Sequence, residues 1–128
     1  MDKRVQFNLK SAEERLRASK KLLDDDFIVD SINRSYYAIF YSARALVAKD
    51  EQDFSKHSAV ISYFRRNYIK TGIFDKKFSK YIGDAFVLRN DGDYTYFFDV
   101  DKSDAETQYT QAVEFFEAIK KFLEEAEQ

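Results

Sequence analysis

Ser35-Tyr36-Tyr37-Ala38-Ile39-Phe40-Tyr41-Ser42-Ala43-Arg44-Ala45-Leu46-Val47-Ala48 decides the fold of this chain. Arg44 is its only charged residue. A helix that is apolar on nearly all sides has to be covered on nearly all sides, which places it at the centre of its domain. Tyr36, Tyr37, Phe40 and Tyr41 give this helix bulk, while Ala38, Ala43 and Ala45 let neighbouring helices approach closely. With its polar ends it is expected to run from about Phe27 to Lys49.

The elements that must cover it can be read outward in both directions. Leu9, Ala12, Leu16, Ser19 and Leu23 recur at spacings of three and four, predicting a first helix over roughly residues 6–24. Asp24-Asp25-Asp26 suits the negative end of that helix poorly, so it is expected to form the turn and the N-cap of the central helix. Beyond the polar loop Asp50-Glu51-Gln52-Asp53, Ser55 is expected to cap a third helix with His57, Ile61, Phe64 and Tyr68 on one face. Thr71-Gly72 ends it, glycine taking the left-handed position. A fourth helix is predicted from about Asp75 to Leu88 or slightly beyond, with Phe78, Tyr81, Ile82 and Ala85 inward. Residues 90–102 carry four aspartates and no period, which reads as the one substantial loop. Ser103-Asp104-Ala105-Glu106 fits a capping box. It would open a last helix with Ala105, Tyr109, Ala112, Val113, Phe116, Ile119 and Leu123 inward, leaving Phe115 and Phe122 as a second stripe for a partner surface. The prediction is an all-α, antiparallel up-and-down bundle of about five helices, one domain over residues 1–128, with the second helix buried.

Composition agrees. There is no proline, and glycine occurs only at 72, 83 and 92, too little turn chemistry for a strand-rich protein. The absence of cysteine removes disulfides, thiolate metal sites and cysteine nucleophiles. The first residues contain no apolar run like that of a signal peptide, and charges interrupt every stretch long enough to span a membrane. A soluble cytoplasmic protein, not a membrane one, is expected. The net charge of −2 conceals an asymmetry. From Phe54 to Gly83, Lys56, Arg65, Arg66, Lys70, Lys76, Lys77 and Lys80 face the single acid Asp75, a net of +6. Such a segment is either a solvated helix face or a patch that attracts phosphates. In the second case Lys70, Lys76, Lys77 and Lys80 lead the contact, with Arg65 and Arg66 in support.

Candidate chemistry centres on Arg89-Asn90-Asp91-Gly92-Asp93-Tyr94. Arg89 continues the apolar stripe of the fourth helix, so a guanidinium points where a core side chain belongs. Burying it is costly unless it is paired. Asp91, Asp93 and the central tyrosines are the partners within reach. The result is either a structural clamp on a helix end or the polar half of a nucleotide or nucleic-acid site. His57 is the only histidine. It reads as a packed core or cap residue, or as an acid–base group, since imidazole titrates near neutrality. Tyr36, Tyr37, Tyr41, Tyr94 and Tyr96 either fill one core or line one cleft. No glycine-rich phosphate loop or serine nucleophile elbow occurs. A calcium loop counted from Asp99 would need glycine and an acid where Asp104 and Thr110 stand. No metal or other cofactor is expected.

Four elements, in order, carry a resemblance: Ser35-Tyr36-Tyr37-Ala38-Ile39-Phe40-Tyr41; Lys56-His57; Phe64 through Thr71-Gly72-Ile73-Phe74; and Leu88-Arg89 followed by Gly92-Asp93-Tyr94. Together they resemble the HEPN domain family, and within it the small stand-alone branch whose signature ends in Arg-x-x-x-Asp-Tyr. The resemblance covers nearly the whole chain. It implies a helical bundle that commonly forms homodimers and is paired with a minimal nucleotidyltransferase in toxin–antitoxin or stress operons. It also implies that active relatives are metal-independent ribonucleases, with an arginine, a polar neighbour and a histidine four to six residues after the arginine. Arg89 and Asn90 match the first two, but Asp93, Tyr94 and Thr95 occupy the histidine's window. A ribonuclease here would have to use Tyr94 or His57 for proton transfer. Some toxin relatives carry Arg-x4-His-x-Tyr, whose tyrosine a partner nucleotidyltransferase adenylylates. Tyr96 stands at that spacing, with Tyr94 in place of the histidine. The resemblance therefore favours a nucleotide- or RNA-associated module acting with a nucleotidyltransferase. A ribonuclease toxin and a non-catalytic interaction protein are the alternatives.

Overall fold

The computed structural model describes residues 1–94 and 100–127, with side chains as far as position 89 on the fourth helix. Five α-helices are present among them: α1 (Lys3–Asp24), α2 (Ile28–Lys49), α3 (His57–Phe64), α4 (Lys76–Tyr94) and α5 (Lys102–Ala126). A π-helical turn over Arg65–Ile69 extends α3. The second helix is central as expected: α1, α5, α4 and α3 all pack on it, α1 most extensively. Tyr36, Ala38, Ala43, Ala45 and Leu46 are fully buried.

The α1–α2 contact is locked by polar atoms as well as apolar ones. Ser19 Oγ lies 2.7 Å from Ser35 Oγ and 3.0 Å from Ser31 Oγ, and Ser31 Oγ donates to Ser19 O at 2.9 Å. All three serines are buried and bonded to one another, so none incurs the cost of an orphaned hydroxyl. Small side chains with satisfied hydroxyls let the helix axes approach. This fixes which residues of α1 face which residues of α2.

Several local expectations need correction. The aspartates at 24–26 do not cap α2. Its N-cap is Phe27, with no side-chain cap bond. Asp24 instead closes α1 in an ion pair with Lys20, and Asp26 takes a left-handed backbone (φ +65°) and binds Lys102. Ser55 does not cap α3 either, whose N-cap is Lys56. The capping box of α5 is real but begins two residues earlier, with Asp101 as N-cap and Asp104 at N3. Helix α4 runs on to Tyr94, so the Arg89–Tyr94 stretch is helical backbone and the loop starts later than its aspartates suggest. Gly72 does take the left-handed position (φ +84°) after the π-turn.

The largest correction concerns α5. Phe115 does not face a partner; it is fully buried, with its ring 5.2 Å from Phe64 and 5.8 Å from Phe78. Phe122 is half-buried against Phe74 and Tyr68 at 5.3 and 5.8 Å. Phe64 of α3 and Phe78 of α4 cover Phe115, while Tyr68 of the π-turn and Phe74, just ahead of α4, pack on Phe122.

Candidate functional site

Helix α2 presents Tyr36 and Tyr37 on adjacent faces, and α4 brings Arg89 over both. The guanidinium carbon lies 5.6 Å from each ring centroid. Arg89 Nη2 donates to the Tyr37 hydroxyl at 3.2 Å. A half-buried guanidinium is thus held by two aromatic faces and a phenol oxygen, an arrangement that stabilises the cation. Among the described residues, a central-helix tyrosine is seen as a partner of Arg89, as expected. The side chains of Asn90, Asp91, Asp93 and Tyr94, and the whole of Tyr96, lie outside the described residues.

His57 opens α3 in the same place. Its Nδ1 lies 2.9 Å from the Tyr36 hydroxyl. Its ring centroid is 4.2 Å from Phe40 and 5.8 Å from both Tyr36 and Tyr37. Burial raises the Tyr36 pKa, with the Arg89 charge opposing it, so the phenol keeps its hydrogen. Tyr36 is fully buried, and His57 is the hydrogen-bond partner found for it among the described residues. An orphaned buried hydroxyl would be costly, so Tyr36 donates and Nδ1 accepts. The neutral imidazole then carries its proton on Nε2. His57 becomes a hydrogen-bond donor beside Arg89, with its basic lone pair already occupied.

The same surroundings keep His57 neutral. Burial lowers its pKa first, and the nearby charges of Arg89 and Arg44 lower it further. A lowered folded-state pKa means that the unfolded chain binds the proton more readily. The stability this gives is complete above the unfolded value near 6.5 and is lost as pH falls through the lower folded value. The urea midpoint should therefore drop between pH 7.5 and pH 5.5, above the range where carboxylates dominate. His57→Gln should flatten that drop; an unchanged slope would show that His57 titrates as a free imidazole.

The basic segment is divided by its partners. Lys77 is ion-paired with Glu114, and Lys80 with Asp84 at 2.6 Å. Arg65 donates to the Ser79 hydroxyl and carbonyl at 3.0 and 3.1 Å. Arg66 lies 5.8 Å from the Tyr63 ring centroid. Lys70 and Lys76 are exposed. Among the described residues no group of three or more His, Cys, Asp or Glu side chains could hold a metal ion, and no helix is long and apolar enough to cross a membrane.

Two residues of the site escape a reading of the sequence. Phe40 reads as core, yet it forms the floor under His57. Arg44 is noticed only as the lone charge on α2, yet its field reaches His57. The available signal was the spacing of Tyr37, Tyr41 and Arg44, which puts all three on one helix face.

Comparison with known proteins matches residues 5–125 to the HEPN domain. A UPF0332 protein of Thermotoga maritima is 32% identical, over 97% of this chain and 94% of its own length. Two proteins of Methanocaldococcus jannaschii are also similar. "Putative toxin MJ0142" is 32% identical over 90% of this chain and 78% of its own, and "Putative toxin MJ0605" is 34% identical over 94% and 90%.

Proposed function

The chain belongs to the HEPN domain family, and we propose that it is a toxin-like member whose Arg89 site binds a phosphate of RNA or of a nucleotide. In this reading it works as a homodimer with a nucleotidyltransferase partner. The toxin names of two relatives support the toxin-like role. The homodimer and the partner rest on the resemblance of the Arg89–Tyr94 signature. One observation carries the site: a guanidinium held on two tyrosines, one of them bonded to a histidine, which the tautomer set by that bond leaves with Nε2–H to donate. Two donors of that kind suit a phosphate oxygen.

The same geometry argues for binding over cleavage. Ribonuclease chemistry without metal needs a group to accept the 2′-hydroxyl proton and another to donate to the leaving oxygen. Arg89 cannot release its proton. His57 has its lone pair engaged by Tyr36. A phenol, which ionises near pH 10 in an unperturbed tyrosine, is a poor proton acceptor near neutrality, and Tyr94 offers nothing else.

Fluorescence anisotropy with a labelled single-stranded RNA tests this reading. The wild type should bind, with affinity falling steeply as salt rises. Arg89→Gln should weaken binding by about tenfold or more, the loss expected for a charge-assisted hydrogen bond. The RNA should stay intact in the presence of a chelator. Equal affinity in the variant removes Arg89 from the site. Metal-free cleavage that Arg89→Gln abolishes would establish the ribonuclease alternative instead.

A further inference from the structure

On the reading that Arg89 holds an RNA phosphate, we propose that single-stranded RNA continues from that site along the α1–α2 seam, over Tyr37, Tyr41, Arg15 and Arg44, and places a base in the cavity beside Phe7. The seam begins at the site itself. Tyr37 receives the hydrogen bond from Arg89, and its ring lies 6.3 Å from Tyr41. The Arg15 guanidinium, from α1, stands 5.0 Å from the Tyr41 centroid. Arg44 follows one turn further along α2. From Tyr37 to Arg44 the helix advances about 10 Å, the reach of a short run of nucleotides. Alternating aromatic rings and cations on one groove is the surface that stacks bases and tracks a phosphate backbone without reading sequence.

Among the described residues the cations of this seam are held only by long contacts, Arg15 also donating to Ser11 O at 3.4 Å. Arg15 meets Glu14 at 3.7 Å and Arg44 meets Asp53 at 3.5 Å, long and partly exposed pairs of the kind that contribute little. Tyr37, Tyr41, Arg15 and Arg44 are all half-buried, so they present rings and guanidinium edges from fixed positions.

The seam ends in a cavity of about 220 Å³ bordered by Phe7, Asn8, the cations Lys3, Arg4 and Arg44, and one acid, Asp53. Two features of this cavity are unexplained by the fold. Phe7 is 63% exposed, a large ring with one face uncovered. Asn8 is 95% buried; its Nδ2 donates to Arg4 O at 2.8 Å, while its Oδ1 has no hydrogen-bond partner among the described residues. A buried acceptor without a donor is costly. A nucleobase stacked on Phe7 brings N–H donors that Oδ1 can accept when Asn8 turns toward the cavity. Lys3, Arg4 and Arg44 on its rim suit the attached phosphates.

The test uses the full chain and fluorescein-labelled oligouridylate and oligoadenylate. Tyr41→Ala and Phe7→Ala should each weaken RNA binding by about tenfold, within the range measured for base–aromatic stacking. Arg44→Gln should also lower the slope of log affinity against log salt by nearly one. Lys121→Gln, an exposed position on α5, should change neither. Phe7 is exposed enough that its variant should fold as the wild type does, which circular dichroism checks should Tyr41→Ala fail to fold. If Arg89→Gln loses RNA while Phe7→Ala and Arg44→Gln bind as the wild type, the seam is not the path and the Arg89 site stands. If the wild type binds no RNA, both readings fall. If the seam variants change sedimentation but not RNA affinity, the face belongs to a second copy of the chain, and the proposal is overturned.

Discussion

Phe115→Ala should lower the unfolding free energy by about 3–5 kcal/mol, the range for emptying a buried aromatic site. Phe115 is fully buried where α3, α4 and α5 meet, touching Phe64 and Phe78. Those rings also contact Phe74 and Tyr68, so the surrounding wall is aromatic and stiff. It cannot collapse far into the space left by one ring, and incomplete collapse puts a site at the costly end of the range. A urea titration at neutral pH measures the loss. A change below about 0.5 kcal/mol, accompanied by a shift in oligomeric state, would return Phe115 to the partner surface that the periodicity of α5 suggests.

That residue shows where the sequence was legible and where it was not. The centre of the bundle follows from composition alone, because a 14-residue stretch with one charge has few other places to go. Helix α5 is harder. It has to bury Ala112, Phe115, Phe116 and Ile119, a stripe wider than a helix with one neighbour needs. The excess looks like an interface until α3 and α4 are in place to cover it. The caps failed for a different reason. Ser103-x-x-Glu106 fits the sequence pattern of a capping box, whereas the box that forms, Asp101 with Asp104, puts aspartate where that pattern has glutamate or glutamine, so the pattern points two residues too late. At the site, Arg89 was found because a charge on an apolar stripe violates the local pattern. The link from Tyr36 to His57 spans 21 positions and joins α2 to the start of α3 across a loop, so no local period announces it.

The position of His57 depends on a second long-range device, and breaking it should be nearly as damaging as emptying the core. Asp50, just past the end of α2, accepts hydrogen bonds from Tyr63 at 2.8 Å and Tyr68 at 2.7 Å on the same Oδ2. Tyr68 lies on the π-turn and is 3% exposed. The widened turn and the two phenols together tie the far end of α3 to α2, and α3 begins at His57. Asp50→Ala removes a charged acceptor from two phenols and leaves the Tyr68 hydroxyl buried without one. Bonds to charged groups contribute about 1.5–3 kcal/mol each, and Tyr63 is only half-buried, so a total near 3 kcal/mol is expected. The alkaline limb of stability should change as well. Burial, then the bond to Asp50, pushes the Tyr63 pKa up to about 12 and that of Tyr68 higher still. Phenols raised in the folded state stabilise it fully below the unfolded value near 10, and that contribution is lost as pH rises beyond it. The wild type should thus lose stability steeply above pH 10, and Asp50→Ala should show a shallower fall, since burial still raises both groups. Asp50→Ala combined with Tyr68→Phe should cost less than the sum of the two single changes, because the orphaned hydroxyl is gone. Strict additivity in that cycle would mean that Asp50 and Tyr68 act independently, and that α3 is held on α2 by its apolar face alone.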